Sequence, residues 1–143
     1  MSDEELTNGI YVSIKQGPTS KIVQGIKNYE FRNYIPKKSF KFMYIYVTAP
    51  QSQLKYIIEI GKIVKYPEKL ELDGDGNFDF NQGKKSKYAY SIIKVYELTN
   101  PISLQELKNK FDFVPPQAFS YAETYPELTR YMLIAEKELI INR

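Results

Sequence analysis

Residues 25–32 read GIKNYEFR and bring Lys27, Glu30 and Arg32 within six positions of one another. A lysine, a carboxylate and a guanidinium so close can do two kinds of chemistry. They can hold an anion, with the carboxylate keeping the cations in place. They can also move protons, if burial lowers the pKa of the lysine. The segment alternates as a strand does, so Tyr29 and Phe31 share one face while Glu30 and Arg32 share the other. Charged groups buried without partners are costly, so Glu30 and Arg32 either pair or face a wet cleft. The alternative is an exposed ion pair that contributes little. Lys27 follows Gly25 closely enough to swing toward the same side from a turn, and Lys15 lies within reach.

The residue types that are missing narrow the chemistry further. The chain has no Cys and no His. That excludes thiolate and imidazole zinc sites, Ser-His-Asp and Cys-His nucleophiles, and paired-histidine acid–base work. Disulfides are impossible, which fits a reducing compartment. A calcium loop is suggested by DGDGNFDF, with Asp73, Asp75 and Asn77 at the first three ligand positions. Phe78 and Lys84 then stand where the loop needs its glycine and its bidentate glutamate, so the stretch reads as a polar turn. Neither a metal nor a cofactor is expected.

The net charge is only +3, but its distribution is uneven. Residues 10–42 carry Lys15, Lys21, Lys27, Arg32, Lys37, Lys38 and Lys41 against Glu30 alone, leaving the rest of the chain net acidic. Such a block suits a phosphate-facing surface, or equally a solvated lysine-rich face. The 13 tyrosines and 8 phenylalanines, with no tryptophan, supply core and potential stacking surface alike.

The elements that must position these groups follow from periodicity and punctuation. Ile10, Val12 and Ile14 alternate with polar neighbours as a half-buried strand. A short helix is expected over about 18–24, stopped by Gly25, and a second strand over 27–34. In that second strand Tyr29 and Phe31 are expected to anchor in the barrel, while Glu30 and Arg32 floor a cleft. KFMYIYVTAP reads as a central strand ended by Pro50, and LKYIIEIGKIVKYP as a strand bent at Gly61. After the polar excursion of residues 71–86, KYAYSIIKVYEL returns as a long strand. Ser103 and Glu106 form a capping box for a helix that buries Leu104, Leu107 and Phe111. The prolines of VPPQAFSY demand an extended or turning path. Pro126 opens a last helix with Leu128, Met132, Ala135 and Leu139 inward, or LIINR ends as a strand. The fold class expected is α+β, mainly β: a small, largely antiparallel barrel of about five to six strands with short helices at the connections. Residues 1–143 are expected to form one domain. Its leader MSDEELT is acidic, and FMYIYV is too short to span a bilayer, so a soluble, cytoplasmic protein without membrane association is expected.

Gly25, Lys27, Glu30 and Arg32 spell G-x-K-x-x-E-x-R, the hallmark of ASCH domains, a nucleic-acid-associated branch of the PUA-like barrels. VSIKQGPTSKIVQGIKNYEFR resembles the opening strand, helix and second strand of that family, and YIYVTAP its next strand. SKYAYSI and PISLQELKNKFDFVPPQAFSY are similar to the closing segments of bacterial members. The likeness spans residues 10–122, with a core of about 10–125 and an extension over 126–143. The resemblance implies a PUA-like barrel whose cleft, near the first helix, receives RNA or a modified nucleotide. Lys15, Lys21 and Lys27 would then meet phosphates or base acceptors, and Arg32 would make a planar two-donor contact. Glu30 would hold the cations or accept from an exocyclic amine. Tyr88, Tyr90, Phe119 and Tyr121 offer stacking faces or core packing, and Gln117 of the P-P-Q-x-F tract joins the binding set. Replacing Lys27 and Arg32 together by alanine is expected to abolish RNA binding in a folded protein.

The resemblance also implies an enzymatic alternative. Some small ASCH proteins are N4-acetylcytidine amidohydrolases that use a lysine, a threonine and a glutamate. Glu30 stands where their threonine falls, so that hydroxyl nucleophile is absent here. Others are linked to RNA cleavage, for which Lys27, Glu30, Tyr88 and Ser120 are the candidate acid–base groups. Binding without catalysis is the better-supported reading, with a protein adaptor as a third class.

Overall fold

The structure, a computed structural model, describes residues 8–143. The acidic leader MSDEELT, and the expectation drawn from it, lie outside the described residues. In chain order the elements are β1 (Gly9–Ile14), α1 (Gln16–Val23), β2 (Tyr29–Arg32), β3 (Phe42–Val47), β4 (Gln53–Lys65), α2 (Asn77–Asn81) and β5 (Tyr88–Ser103). They are followed by α3 (Leu104–Phe111), β6 (Ser120–Tyr121), a 3-10 turn (Ala122–Thr124), α4 (Pro126–Ile134) and β7 (Lys137–Asn142).

Six strands curl into a half-barrel in the order β2-β5-β4-β3-β1-β6, and β7 adds to β5. The β1–β3 pair is parallel and every other pair is antiparallel. This is the mainly β fold with short helices expected from the sequence. The bend expected at Gly61 is present as a register shift between Ile60 and Ile63 against β5. Long β5 serves two neighbours along one edge: Tyr88–Ser91 faces β2 and residues 94–98 face β7.

The sheet is buried on both faces. One core, inside the curl, joins Ile10, Val12, Ile22, Ile45, Ile58 and Ile92. A second, on the outer face, joins Tyr11, Tyr44, Leu54, Leu107, Leu128 and Met132. β1 is therefore not half-buried, as its alternation suggests. Tyr11 is fully buried, and its hydroxyl shares a hydrogen bond with Thr129 Oγ1 of α4 at 2.8 Å. α4 closes over this outer face, so tyrosine takes the place of a polar residue there.

The helix ends follow local rules. Ser103 Oγ accepts from Glu106 N–H at 3.2 Å, as the capping box requires. Pro126 opens α4, but the helix ends at Ile134, and Leu139 lies exposed in β7 rather than inward on a helix. The strand alternative for LIINR holds. α1 begins at Gln16, earlier than expected, because Pro18 in the first turn gives up only an N–H that has no intrahelical partner.

Candidate functional site

α1 ends in a turn that aims the next residues. Gly25 has φ +81°, its N–H donates to Ile22 O at 3.0 Å, and Ile26 N–H donates to Lys21 O at 2.9 Å. This is a Schellman closure, which favours glycine because of the left-handed backbone. Lys27 N–H also donates to Lys21 O at 3.0 Å, so the reversal delivers Lys27 to the mouth of β2. β2 is shorter than expected at both ends, since residues 27–28 and 33–34 make other bonds.

The faces of β2 are arranged in reverse of the expectation. Glu30 is the cross-strand partner of Tyr90, and Arg32 of Tyr88, so the charged pair lies on the side of the inner core. Tyr29 and Phe31 pack instead into a third cluster with Val64, Leu70, Phe80 and Ala89. That cluster exists because residues 66–83 fold back over the outer side of β2, which a polar composition hides. Its clamp is a chain of amides. Asn77 Nδ2 donates to Asn28 Oδ1 at 2.9 Å and to Leu72 O at 3.0 Å, and Asn28 Nδ2 donates to Asp73 O at 3.0 Å. The DGDGN stretch thus serves as a structural clasp behind β2.

The cleft itself has a volume of about 260 Å³ and lies between the end of β1, the start of α1, β2 and the loop at Lys85 and Ser86. Its floor is an ion triplet. Glu30 Oε2 accepts from Arg32 Nε at 3.0 Å and pairs with the Arg32 NH2 group at 2.8 Å, while Glu30 Oε1 stands 3.8 Å from Lys27 Nζ. The three side chains are 9%, 15% and 7% exposed. Arg32 is further held by Tyr34 Oη at 3.3 Å and Ser13 O at 3.4 Å. The Lys27 ammonium makes no hydrogen bond among the described residues, and it lies 4.5 Å from the centre of the Phe31 ring. Burial pulls its pKa below the usual lysine value; the nearby Glu30 and Asp75 charges oppose that pull, and Lys85 and Arg32 reinforce it.

Lys15, Lys27, Glu30 and Arg32 therefore meet in one place. The other candidates do not join them. Lys21 pairs with Asp75 at 3.3 Å, outside the lining of the cleft, and Lys38 of the basic block pairs with Glu123. Tyr90 is fully buried and its hydroxyl donates to Tyr34 O, so it presents no stacking face. Tyr88 is half-buried against the inner core, beside Arg32. Ser120 is the cross-strand partner of Tyr11 and projects to the outer face of the sheet, away from Glu30. Gln117 is exposed between two anchored carbonyls: Pro116 O accepts from Ser13 Oγ at 2.8 Å, and Ala118 O from Tyr34 Oη at 2.9 Å. Phe119 stacks on Tyr34 at 5.4 Å and meets Tyr121 edge-on at 5.1 Å.

Sequence reasoning missed Ser13, Tyr34, Lys85 and Ser86. A signal for Lys85 was present in the basic run KKSK of residues 84–87, which lies outside the block considered. Burial of Arg32 also corrects one expectation. Truncating it together with Lys27 removes both ion-pair partners of the buried Glu30, a loss of about 3 kcal/mol or more for a broken buried pair, so the double alanine variant is not neutral to folding.

The curled half-barrel with this topology is the fold of solved ASCH proteins. The crystal structure of ASCH from Zymomonas mobilis is similar with a TM-score of 0.66 and 21% identity, over 91% of this chain and 97% of that one. A serine-to-alanine mutant of that protein gives a TM-score of 0.65 at 23% identity, over 91% and 98% of the two chains. A tyrosine-to-phenylalanine mutant gives 0.66 at 21%, over 90% and 99%. No family model and no curated protein matches the sequence. Among the described residues no helix is long and apolar enough to cross a membrane.

Proposed function

We propose that this protein binds RNA or a modified nucleotide in the cleft floored by Lys27, Glu30 and Arg32. The observation that carries the reading is the buried triplet itself. Two cations share one carboxylate at the base of an open cleft, and Lys15 and Lys85 stand at its rim. Four cationic side chains against one acid make the cleft electropositive, which draws phosphate and costs affinity as salt rises. Glu30, Ser13 O and Tyr34 Oη engage all three Arg32 nitrogens, so the guanidinium is held in one orientation and offers the ligand its fixed positive charge rather than a free two-donor edge. The half-buried rings of Tyr34, Phe119 and Tyr121 flank the Arg32 end and suit an unpaired base.

Hydrolysis of RNA or of a modified nucleoside is the second reading, favoured by one feature: burial loosens the proton on Lys27 next to Glu30. Incubation with single-stranded RNA and a panel of modified nucleosides, read by gel and mass spectrometry, separates the two. A shifted, chemically unchanged RNA supports binding, and a mass change supports the hydrolase. Lys15→Gln with Lys85→Gln tests the cleft without touching the buried triplet, because both side chains are exposed. The expected result is a folded protein with at least about tenfold weaker RNA binding, from two lost charge-assisted contacts. Unchanged affinity would remove the cleft from consideration.

A further inference from the structure

The positive groups Lys15, Lys27, Arg32 and Lys85 all line one cleft of about 260 Å³. Lys15 stands at the N-cap of α1, Lys27 at the floor, and Lys85 on the opposite wall. The ammonium groups of Lys27 and Lys85 approach one aromatic ring, lying 4.5 Å and 5.5 Å from the centre of Phe31. Like charges gathered around one ring repel unless an anion sits between them. The Lys27 side chain is 7% exposed, lines the cleft and donates no hydrogen bond among the described residues. Among the described residues its three donors are thus held ready, with the ion pair to Glu30 Oε1 spanning 3.8 Å.

The backbone adds donors beside the cleft, between its lining residues Lys15 and Pro18. α1 opens without a side-chain cap, so the N–H groups of Gln16 and Gly17 have no intrahelical partner. Nothing lies within 4 Å of the position a Cβ would take on Gly17, so an oxygen can approach the main chain there. Beside the lining residue Ser13 and the Arg32 partner Tyr34, residues 116–118 are tied down by Ser13 Oγ on Pro116 O and Tyr34 Oη on Ala118 O.

We propose that the cleft is a pocket for a terminal phosphate, holding the phosphomonoester of an RNA end or a free nucleotide among Lys15, Lys27, Lys85 and the first turn of α1. This inference rests on the nucleic-acid reading above and specifies which part of the ligand enters. A phosphomonoester carries nearly two negative charges at neutral pH and three free oxygens, whereas an internal diester carries one charge and two. Four cations against one carboxylate match the doubly charged group. A cleft of about 260 Å³ with its cations gathered in one lining suits a chain terminus, since an internal phosphate brings a ribose on both sides.

The test uses three oligoribonucleotides of one sequence, with a 5′-phosphate, a 3′-phosphate, or hydroxyls at both ends, followed by fluorescence anisotropy with the label away from the tested end. One phosphorylated end is expected to bind about tenfold or more tighter than the hydroxyl form. That preference is expected to vanish in the Lys15→Gln, Lys85→Gln protein. Competition by a free nucleoside monophosphate at comparable concentration would support the pocket and identify the nucleotide as its source; preference for one RNA end without such competition would support it and identify the RNA terminus. Equal affinity for all three oligonucleotides would overturn the proposal and leave RNA binding intact. Binding of none would overturn both. A preference that survives in the double variant would overturn the assignment to this cleft.

Discussion

Lys27 is the residue on which the cleft turns. Its charge faces Glu30 and Arg32 on β2, Lys85 on the loop before β5, and Asp75 on the clasp. Burial lowers its pKa below the usual 10.5, so the free protein gives up this proton at a lower pH than an ordinary lysine does. A bound phosphate favours the cation and raises the pKa again. Affinity for an anionic ligand is therefore full below the free-protein value and declines as pH rises through it, with a proton taken up on binding above that point. Binding isotherms from neutral pH into the alkaline range should show the decline in the wild-type protein. The Lys27→Gln protein should bind more weakly, without that component. A wild-type affinity that stays flat up to the ordinary lysine range would mean that Lys27 does not face the ligand.

At the scale of elements, the segment of residues 66–83 decides whether the cleft has two walls or one. It is fastened by the buried Asn28–Asn77 contact and by Asp75 N–H on Ile26 O at 3.0 Å. Gly76 seats it against β2: with φ +84°, its missing Cβ would lie 2.7 Å from the Phe31 ring and 2.8 Å from Lys85 Cε. Asn77→Ala strands Asn28 Oδ1 and Leu72 O, with an expected loss of about 2 kcal/mol. Because Phe80 packs in a cluster separate from the two main cores, the loss should appear as local opening. Hydrogen exchange should quicken at Asp75 and Phe80 while the β3 and β4 amides stay protected, and ligand affinity should fall as Lys85 is released. Protection lost uniformly would show instead that the clasp is part of the global folding unit. None of this was legible in ELDGDGNFDFNQGKKS, because a five-residue helix is too short to display a period. The DGDGN turn was visible as a turn; its docking partner, Asn28, is 49 residues from Asn77.

For the whole molecule, the abundance of tyrosine has a thermodynamic consequence. Burial raises the pKa of Tyr11, Tyr34, Tyr56 and Tyr90 above the ordinary 10.0. Above about pH 10 the unfolded chain releases protons that the folded protein keeps, so stability falls as pH rises beyond that value. Urea unfolding midpoints should hold steady below pH 10 and drop above it, with tyrosinate absorbance appearing together with unfolding. Tyrosinate absorbance from all thirteen tyrosines in a still-folded protein would contradict the burial of these hydroxyls. The prediction depends on both sheet faces being covered, with Tyr11 on the outer face and Tyr90 on the inner.

Local information was enough for what neighbours in the chain decide. The alternation of β2, the Gly25 stop, the Ser103 cap, the Pro126 start and the bend at Gly61 each depend on residues within a turn or two, and each is present. So was the co-occurrence of Lys27, Glu30 and Arg32, because a short strand keeps its residues together. Which way that strand faces was a tertiary decision. Period two separates two faces but does not say which is covered by what, and here residues 66–83 took the aromatic side and left the charges to the mouth of the barrel. The fate of Ser120 and Tyr90 was settled the same way, by cross-strand register with Tyr11 and Glu30. Register between segments tens of residues apart is set by how whole faces bury, and no local pattern encodes it.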